Sequence, residues 1–300
     1  MTSRKTYVVA GATGSQGGAT ARHLKEGGHR VIGITHSPSK AARLEGEGIE
    51  PLVADLRDPA TLIPRLKGVD GLFVVTVPSG DGAGTFDWAA FEKNEIRQGE
   101  GALRAAEAAR VPHVVLSTVA SACQSPGVSV WKSKTTIEET AQRLGVPRTT
   151  LRPPFFMSSW LPGGAFFARA MTTGVMGLPV APETAIPHIE VDDVGRAAAW
   201  AFAHPEESVG SAWELAGELT TYPAIVRALS KRWDRPFTYR EVAPGAENLA
   251  LPPPLAQGFA EIFAVLARRE HQWDARVWES KFGFRMTNFE EYLHRRTTVP

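Results

Sequence analysis

YVVAGATGSQGGATARHLKEGGHRVIGITHS, residues 7–37, passes from a short apolar strand through three glycines into a helix, and from that helix into a second strand. Gly11, Gly14 and Gly17 are spaced G-x-x-G-x-x-G, where the strand ends and the helix opens. Glycine there permits a tight turn, lets backbone approach a pyrophosphate, and allows the helix to pack closely on the strand. The helix N-terminus adds N–H donors that have no partner inside the helix. The loop is a candidate dinucleotide cradle.

Working outward, apolar runs of strand length alternate with helical stretches: Tyr7–Ala10 and Gln16–Glu26, Arg30–Thr35 and Ser39–Glu45, Pro51–Ala54 and Pro59–Leu66. Gly71–Val77, a helix over Phe91–Arg110, His113–Ser117, a helix from Ser133 and Thr149–Arg152 continue the series. Strand-helix repetition of this kind predicts an α/β fold, a doubly wound, Rossmann-type parallel sheet covered by helices on both faces. After Arg152, Pro- and Gly-rich turns separate shorter elements, among them a helix from Asp192 or Asp193 to Ala203, a strand near Trp213–Leu215, and helices near Tyr222–Trp233 and Phe259–Arg269. The expected division is a dinucleotide-binding domain over 1–154 and a smaller, mainly helical cap or substrate domain over 155–300, with about 188–215 returning to the first.

Composition narrows the partners. A net charge of +1 with only short basic pieces argues against nucleic acid. No apolar run approaches membrane-spanning length, and Met1–Lys5 lead into the first strand without a secretory segment, so a cytoplasmic location is expected. The single cysteine, Cys123, excludes an intramolecular disulfide, and the eight scattered histidines give no metal-ligand spacing. Nothing in the sequence separates a monomer from a homodimer.

The second strand ends ITHSPSK, with Thr35, His36, Ser37 and Lys40 where an acid would mark a free ribose 2′-hydroxyl. A basic, hydroxylic edge without carboxylate suits a 2′-phosphate, so NADP(H) is favoured and NAD(H) stays possible.

Beyond that loop, the segments GATGSQGG, ADLRDPATL, FEKNEIRQGEGALRAAEAARVPHVVLST, KTTIEETAQRLGVPRTTLRPPFFM and EVDDVGRAAA resemble, in order, landmarks of the NmrA-like family of atypical short-chain dehydrogenase/reductases. The resemblance implies NADP(H) or NAD(P) binding, and one of two activities: reduction of a quinone, dye or other small molecule, or redox sensing through a regulatory protein partner. It further implies that Gly11, Ala12, Thr13, Gly14, Ser15, Gln16 and Gly17 hold the pyrophosphate. His36 stands where the family has an arginine against the 2′-phosphate, with Lys40 as a second basic position. Asp55 and Leu56 would border the adenine, and Thr76, Val77 and Pro78 would line the cofactor. Arg97, Pro154, Phe155 and Phe156 would lie at the nicotinamide end.

In VSVWKSKTTIEE, residues 128–139, the apolar positions Ile137, Ala141 and Leu144 give the helix its inward face. Lys134 shares that side and Lys132 projects nearly opposite. Thr135 with Glu138, or Thr136 with Glu139, has capping-box spacing that would start the helix a residue or two later. In the broader reductases a tyrosine four residues before such a lysine donates the proton; here that position is Val130, and Tyr7, Tyr222, Tyr239 and Tyr292 lie elsewhere. Ser117 and Thr118 occupy the family's hydroxyl positions. Three outcomes follow for a chain without that phenol. Lys134, with Thr118, could supply the acid catalysis; water could protonate the product; or Lys134 could only hold ribose hydroxyls, as in a sensor.

Three further groups read as structural rather than chemical. His188 is expected to be packed, and Asp192 and Asp193 to cap their helix. Phe155, Phe156, Trp160, Phe166 and Phe167 form an aromatic cluster that suits a substrate wall or a core equally well.

Overall fold

The structure is a computed structural model and describes residues 4–76, 88–122, 125, 128–161, 164, 167–249, 251, 253–267 and 273–295. Val77, Pro78, Cys123, Phe166 and the side chain of Phe167 lie outside the described residues. In chain order the elements are β1 (Thr6–Val9), α1 (Ser15–Glu26), β2 (Arg30–Thr35), α2 (Ala41–Gly46), β3 (Glu50–Val53), α3 (Pro59–Leu66), β4 (Gly71–Val75), α4 (Trp88–Ala109), β5 (Val114–Ser117), α5 (Lys132–Arg143) and β6 (Arg148–Arg152). There follow β7 (Phe155–Phe156), α6 (Phe167–Thr173), β8 (Val175–Leu178), β9 (Ile186–Ile189), α7 (Val191–Ala203), α8 (Pro205–Ser208), β10 (Ala212–Glu214), β11 (Glu218–Thr220), α9 (Tyr222–Trp233), β12 (Thr238–Glu241), α10 (Pro253–Ala267), α11 (Ala275–Phe282) and α12 (Phe289–Arg295).

Two compact units emerge. The first comprises residues 1–120, 131–152 and 191–213. Its sheet has the order β10-β6-β5-β4-β1-β2-β3, with β1 to β6 pairing in parallel, which is the doubly wound arrangement. Strand order reverses beside β1, so the glycine loop sits at the topological switch point, where such sheets bind ligands. Val8, Ile34, Val74, Leu116 and Leu103 form the core on one face, each side chain contributing roughly 1.5–3 kcal/mol of burial.

Small residues set the helix spacing. A Cβ on Gly99 of α4 would come within 2.5 Å of Ile137 on α5, and one on Gly195 of α7 within 2.6 Å of the Ala19 backbone in α1. Glycine at these points lets each helix pair pack at backbone distance. Helix α7 starts at Val191, so Asp192 and Asp193 lie in its first turn instead of capping it. There their charge favours the helix dipole, and each has a cation: Asp192 pairs with Arg22 at 2.5 Å and Asp193 with Arg196 at 3.0 Å.

The second unit comprises residues 121–130, 153–190 and 214–300. Alongside its helices it holds a three-stranded sheet, β11-β9-β7, and the pair β12-β8, strands of two to four residues that the sequence pattern did not reveal. Its core gathers Met157, Trp160, Tyr222, Leu229 and Phe263. His188 is fully buried there, its Nδ1–H donating to the Ile186 carbonyl at 2.9 Å. Among the described residues no helix is long and apolar enough to cross a membrane.

Candidate functional site

The loop after β1 has the shape a dinucleotide needs. Gly11 takes φ +63°, a conformation that side chains avoid, and a Cβ on Gly17 would lie 2.3 Å from the Gly11 carbonyl oxygen and 2.5 Å from that of Ala10. Helix α1 opens at Ser15 with Gly14 before it, no side chain caps it, and no acid lies in its first turn. An uncapped, acid-free N-terminus is where an anion is stabilised. Gln16 reaches across the loop, its Oε1 accepting from Ser117 Oγ of β5 at 2.7 Å.

At the ends of β2 and β3, His36 and Lys40 are exposed, and Ser37 Oγ lies 2.7 Å from Ser39 Oγ. Asp55 is wrapped by Arg57, which donates through Nε, Nη2 and its backbone N–H at 2.7–3.0 Å. These bonds from Arg57, first among several causes that include the nearby His36, hold the Asp55 carboxyl below its ordinary range. The edge therefore presents basic side chains beside one acid already paired with Arg57. Installing the stronger phosphate fork, His36→Arg, is expected to tighten NADPH roughly 10-fold and leave NADH within about 2-fold, as read by fluorescence titration.

The carboxyl ends of β4 and β5 meet α4 and α5 in a second group. Lys134 Nζ donates to the Thr76 carbonyl at 2.9 Å and to Thr76 Oγ1 at 3.0 Å, and pairs with Glu95 Oε1 at 2.6 Å. Thr76 Oγ1 in turn donates to Glu95 Oε1 at 3.2 Å, and Ser133 Oγ donates to Glu95 Oε2. An ammonium has three protons, and all three have protein acceptors. Lys132, by contrast, is 68% exposed and reaches Glu92 at 3.2 Å.

One turn further along α5, Glu138 accepts from Thr118 Oγ1 at 2.6 Å and from Arg152 at 2.5 and 3.1 Å. The capping-box reading is thereby corrected. Helix α5 starts at Lys132, and Glu138 points inward to bind a hydroxyl and a guanidinium instead of turning back to the helix N-terminus. Lys134 and Glu138 together pin α5 to Thr76, Thr118 and Arg152, at the ends of three adjacent strands. Thr118 has spent its proton on a carboxylate.

Arg97 does not join this group. Arg97 is exposed and lies two residues past Glu95 on α4, so it faces away from Lys134. Pro154, Phe155 and Phe156 belong to the second unit, where Phe155 packs among Trp160, His188, Phe259 and Phe263. Val130 is also in that unit; its Cγ1 would be 2.0 Å from a Cβ on Gly258, so α10 fills the space beside it. Ser129 N and Oγ fix the same turn to Glu261 at 2.7 and 2.6 Å.

No tyrosine replaces the missing phenol. Tyr7, Tyr222 and Tyr292 are at most 2% exposed, and Tyr239 donates its hydroxyl to the Leu178 and Val180 carbonyls. Burial pushes the Tyr7 phenol up to about 12. Glu95 was not singled out in the sequence, although it shares the buried phase of Gly99, Ala102 and Ala106 on α4. A carboxylate in an otherwise small and apolar stripe was the available signal.

The sequence pattern of the NmrA-like family matches residues 3–293. The NAD(P)H azoreductase of Xenophilus azovorans is 26% identical over 265 residues, 86% of each chain. The (4-alkanoyl-5-oxo-2,5-dihydrofuran-3-yl)methyl phosphate reductase of Streptomyces griseus is 30% identical over 266 residues, 85% of this chain and 84% of the relative. The Escherichia coli NADPH-dependent quinone oxidoreductase complexed with NADPH superposes with a TM-score of 0.79 at 24% identity, covering 97% of this chain and 99% of the other. With the glycine cradle, the parallel sheet order and a match along nearly its whole length, this chain belongs to the NmrA-like family.

Proposed function

We propose that the chain is an NADP(H)-dependent reductase of conjugated, electron-poor small molecules such as quinones, azo compounds or activated enones. The glycine cradle and the uncapped end of α1 would hold the pyrophosphate, and His36, Ser37 and Lys40 the 2′-phosphate. Asp55 and Leu56 would border the adenine, Thr76 would line the cofactor, and Lys134 would meet the nicotinamide ribose. The same cradle would admit NAD(H), with no group to reward its free 2′-hydroxyl.

The observation that carries the reading is the commitment, among the described residues, of each candidate proton donor named above. Lys134 has three acceptors inside the protein, Thr118 donates to Glu138, Ser117 donates to Gln16, Tyr7, Tyr222 and Tyr292 are buried, and Tyr239 donates to backbone carbonyls. Reducing a simple ketone requires a proton at the nascent alkoxide, typically worth 10²–10⁴-fold when a side chain supplies it. The chemistry the bound cofactor supplies is a hydride, delivered to an acceptor whose resulting anion is delocalised and takes its proton from water. For such acceptors, positioning by the protein suffices. Both named relatives above 25% identity act on acceptors of this kind, an azo compound and a conjugated dihydrofuranone.

Removing the ammonium tests the proton's origin. Lys134→Met is paired with Glu95→Gln so that no buried charge is left alone. At saturating NADPH, kcat with a quinone is expected to fall less than about 10-fold while the KM for NADPH rises. A loss beyond 100-fold in kcat would return the proton to Lys134.

A further inference from the structure

We propose that Glu95 sets the affinity for the dinucleotide, by competing with the nicotinamide ribose for the ammonium of Lys134. The inference rests on the reading that Lys134 meets that ribose, and on the geometry around the pair. Its side chains are 15% and 5% exposed, so the lysine keeps a small open edge and the carboxylate almost none. Glu95 Oε1 lies 2.6 Å from Nζ, and its other oxygen is held by Ser133. With Thr76 taking the two remaining protons, a ribose hydroxyl can gain a donor only by displacing a protein acceptor.

The three acceptors are unequal. Hydrogen bonds to an ionised partner are about twice as strong as those between neutral groups, and a ribose hydroxyl is neutral. Glu95 is therefore the acceptor that costs most to displace. Glutamine keeps the shape, accepts more weakly from Lys134 and can still bond Ser133. It removes the competitor and leaves the ammonium in place.

The test compares NADPH with 2′,5′-ADP, a probe that carries the adenosine half and lacks the nicotinamide ribose. Glu95→Gln is expected to tighten NADPH roughly 10-fold and leave 2′,5′-ADP unchanged, both by titration calorimetry. Glu95→Asp, whose carboxylate is drawn back by one methylene, should fall between wild type and glutamine, and it supplies the same reading if the glutamine variant does not fold. Unchanged or weaker NADPH binding by a folded variant overturns the proposal. Equal tightening of both ligands also overturns it, because a general field effect would then account for the change. No acceptor is needed, so a chain that binds NADPH but reduces nothing would defeat the reductase reading and leave this result to stand or fall separately.

Discussion

Gly17→Ala is expected to weaken NADPH binding by more than about 100-fold and to lower folding stability by a few kcal/mol. The added methyl would meet the Gly11 carbonyl oxygen at 2.3 Å and that of Ala10 at 2.5 Å, and both are backbone atoms. A flexible side chain could swing aside, but here the strand end, the loop or the start of α1 must move. Any of these shifts carries the N–H donors of α1 away from the phosphates they would bind. Gly46→Ala is the control, because nothing lies within 4 Å of its Cβ position and its φ is ordinary. That substitution should change stability by no more than about 0.5 kcal/mol and leave NADPH affinity alone. Titration of both variants, with urea unfolding, separates damage to the cradle from a general intolerance of alanine.

Acid is expected to destabilise each unit through one buried histidine. His113 in the first unit is 3% exposed, and its Nε2 bonds Thr149 Oγ1 at 2.9 Å. Because that hydroxyl gives its own proton to the Ser208 carbonyl at 2.8 Å, the imidazole Nε2–H is the donor. Burial, aided by the charge of Lys5, pushes His113 down from 6.5 to about 4, and burial does the same to His188 in the second unit. The unfolded chain then binds more protons than the folded one between those two values, so stability is complete above about pH 6.5 and declines until about pH 4. At pH 5 each unit should be about 2 kcal/mol less stable than at pH 7.5, by urea unfolding at the two values. His113→Gln should flatten that slope for the first unit and His188→Leu for the second. An unchanged slope in either variant would assign the acid sensitivity to other groups.

What could be read from the sequence follows from how far each signal reaches. The strand-turn-helix at residues 7–37, α3 at Pro59–Leu66 and α9 at Tyr222–Trp233 were all legible, because glycines or prolines mark their ends and apolar periodicity fills them. The short strands β7, β8, β9, β11 and β12 were not, since two to four residues carry too little alternation to distinguish them from turns. The candidate site divides in the same way. Lys134 could be placed inward by helical phase alone. The partners of Glu95 and Glu138 were not legible, because a glutamate on a helix normally faces water and both partners are remote in sequence: Lys134 lies 39 positions from Glu95, and Arg152 lies on the next strand. Spacing within one helix also misled, giving Glu138 a cap to bond when tertiary structure offered it a guanidinium and a hydroxyl.

In the proposed reaction this chain delivers hydride without supplying a proton. The most direct measurement is steady-state NADPH oxidation with a quinone and with a saturated ketone of the same size, compared as kcat/KM. Turnover of the quinone is expected, with a preference for it over the ketone of at least about 10³-fold. Comparable rates with both would mean a proton donor operates, and NADPH binding with neither acceptor reduced would make the chain a sensor of the cofactor instead of a reductase.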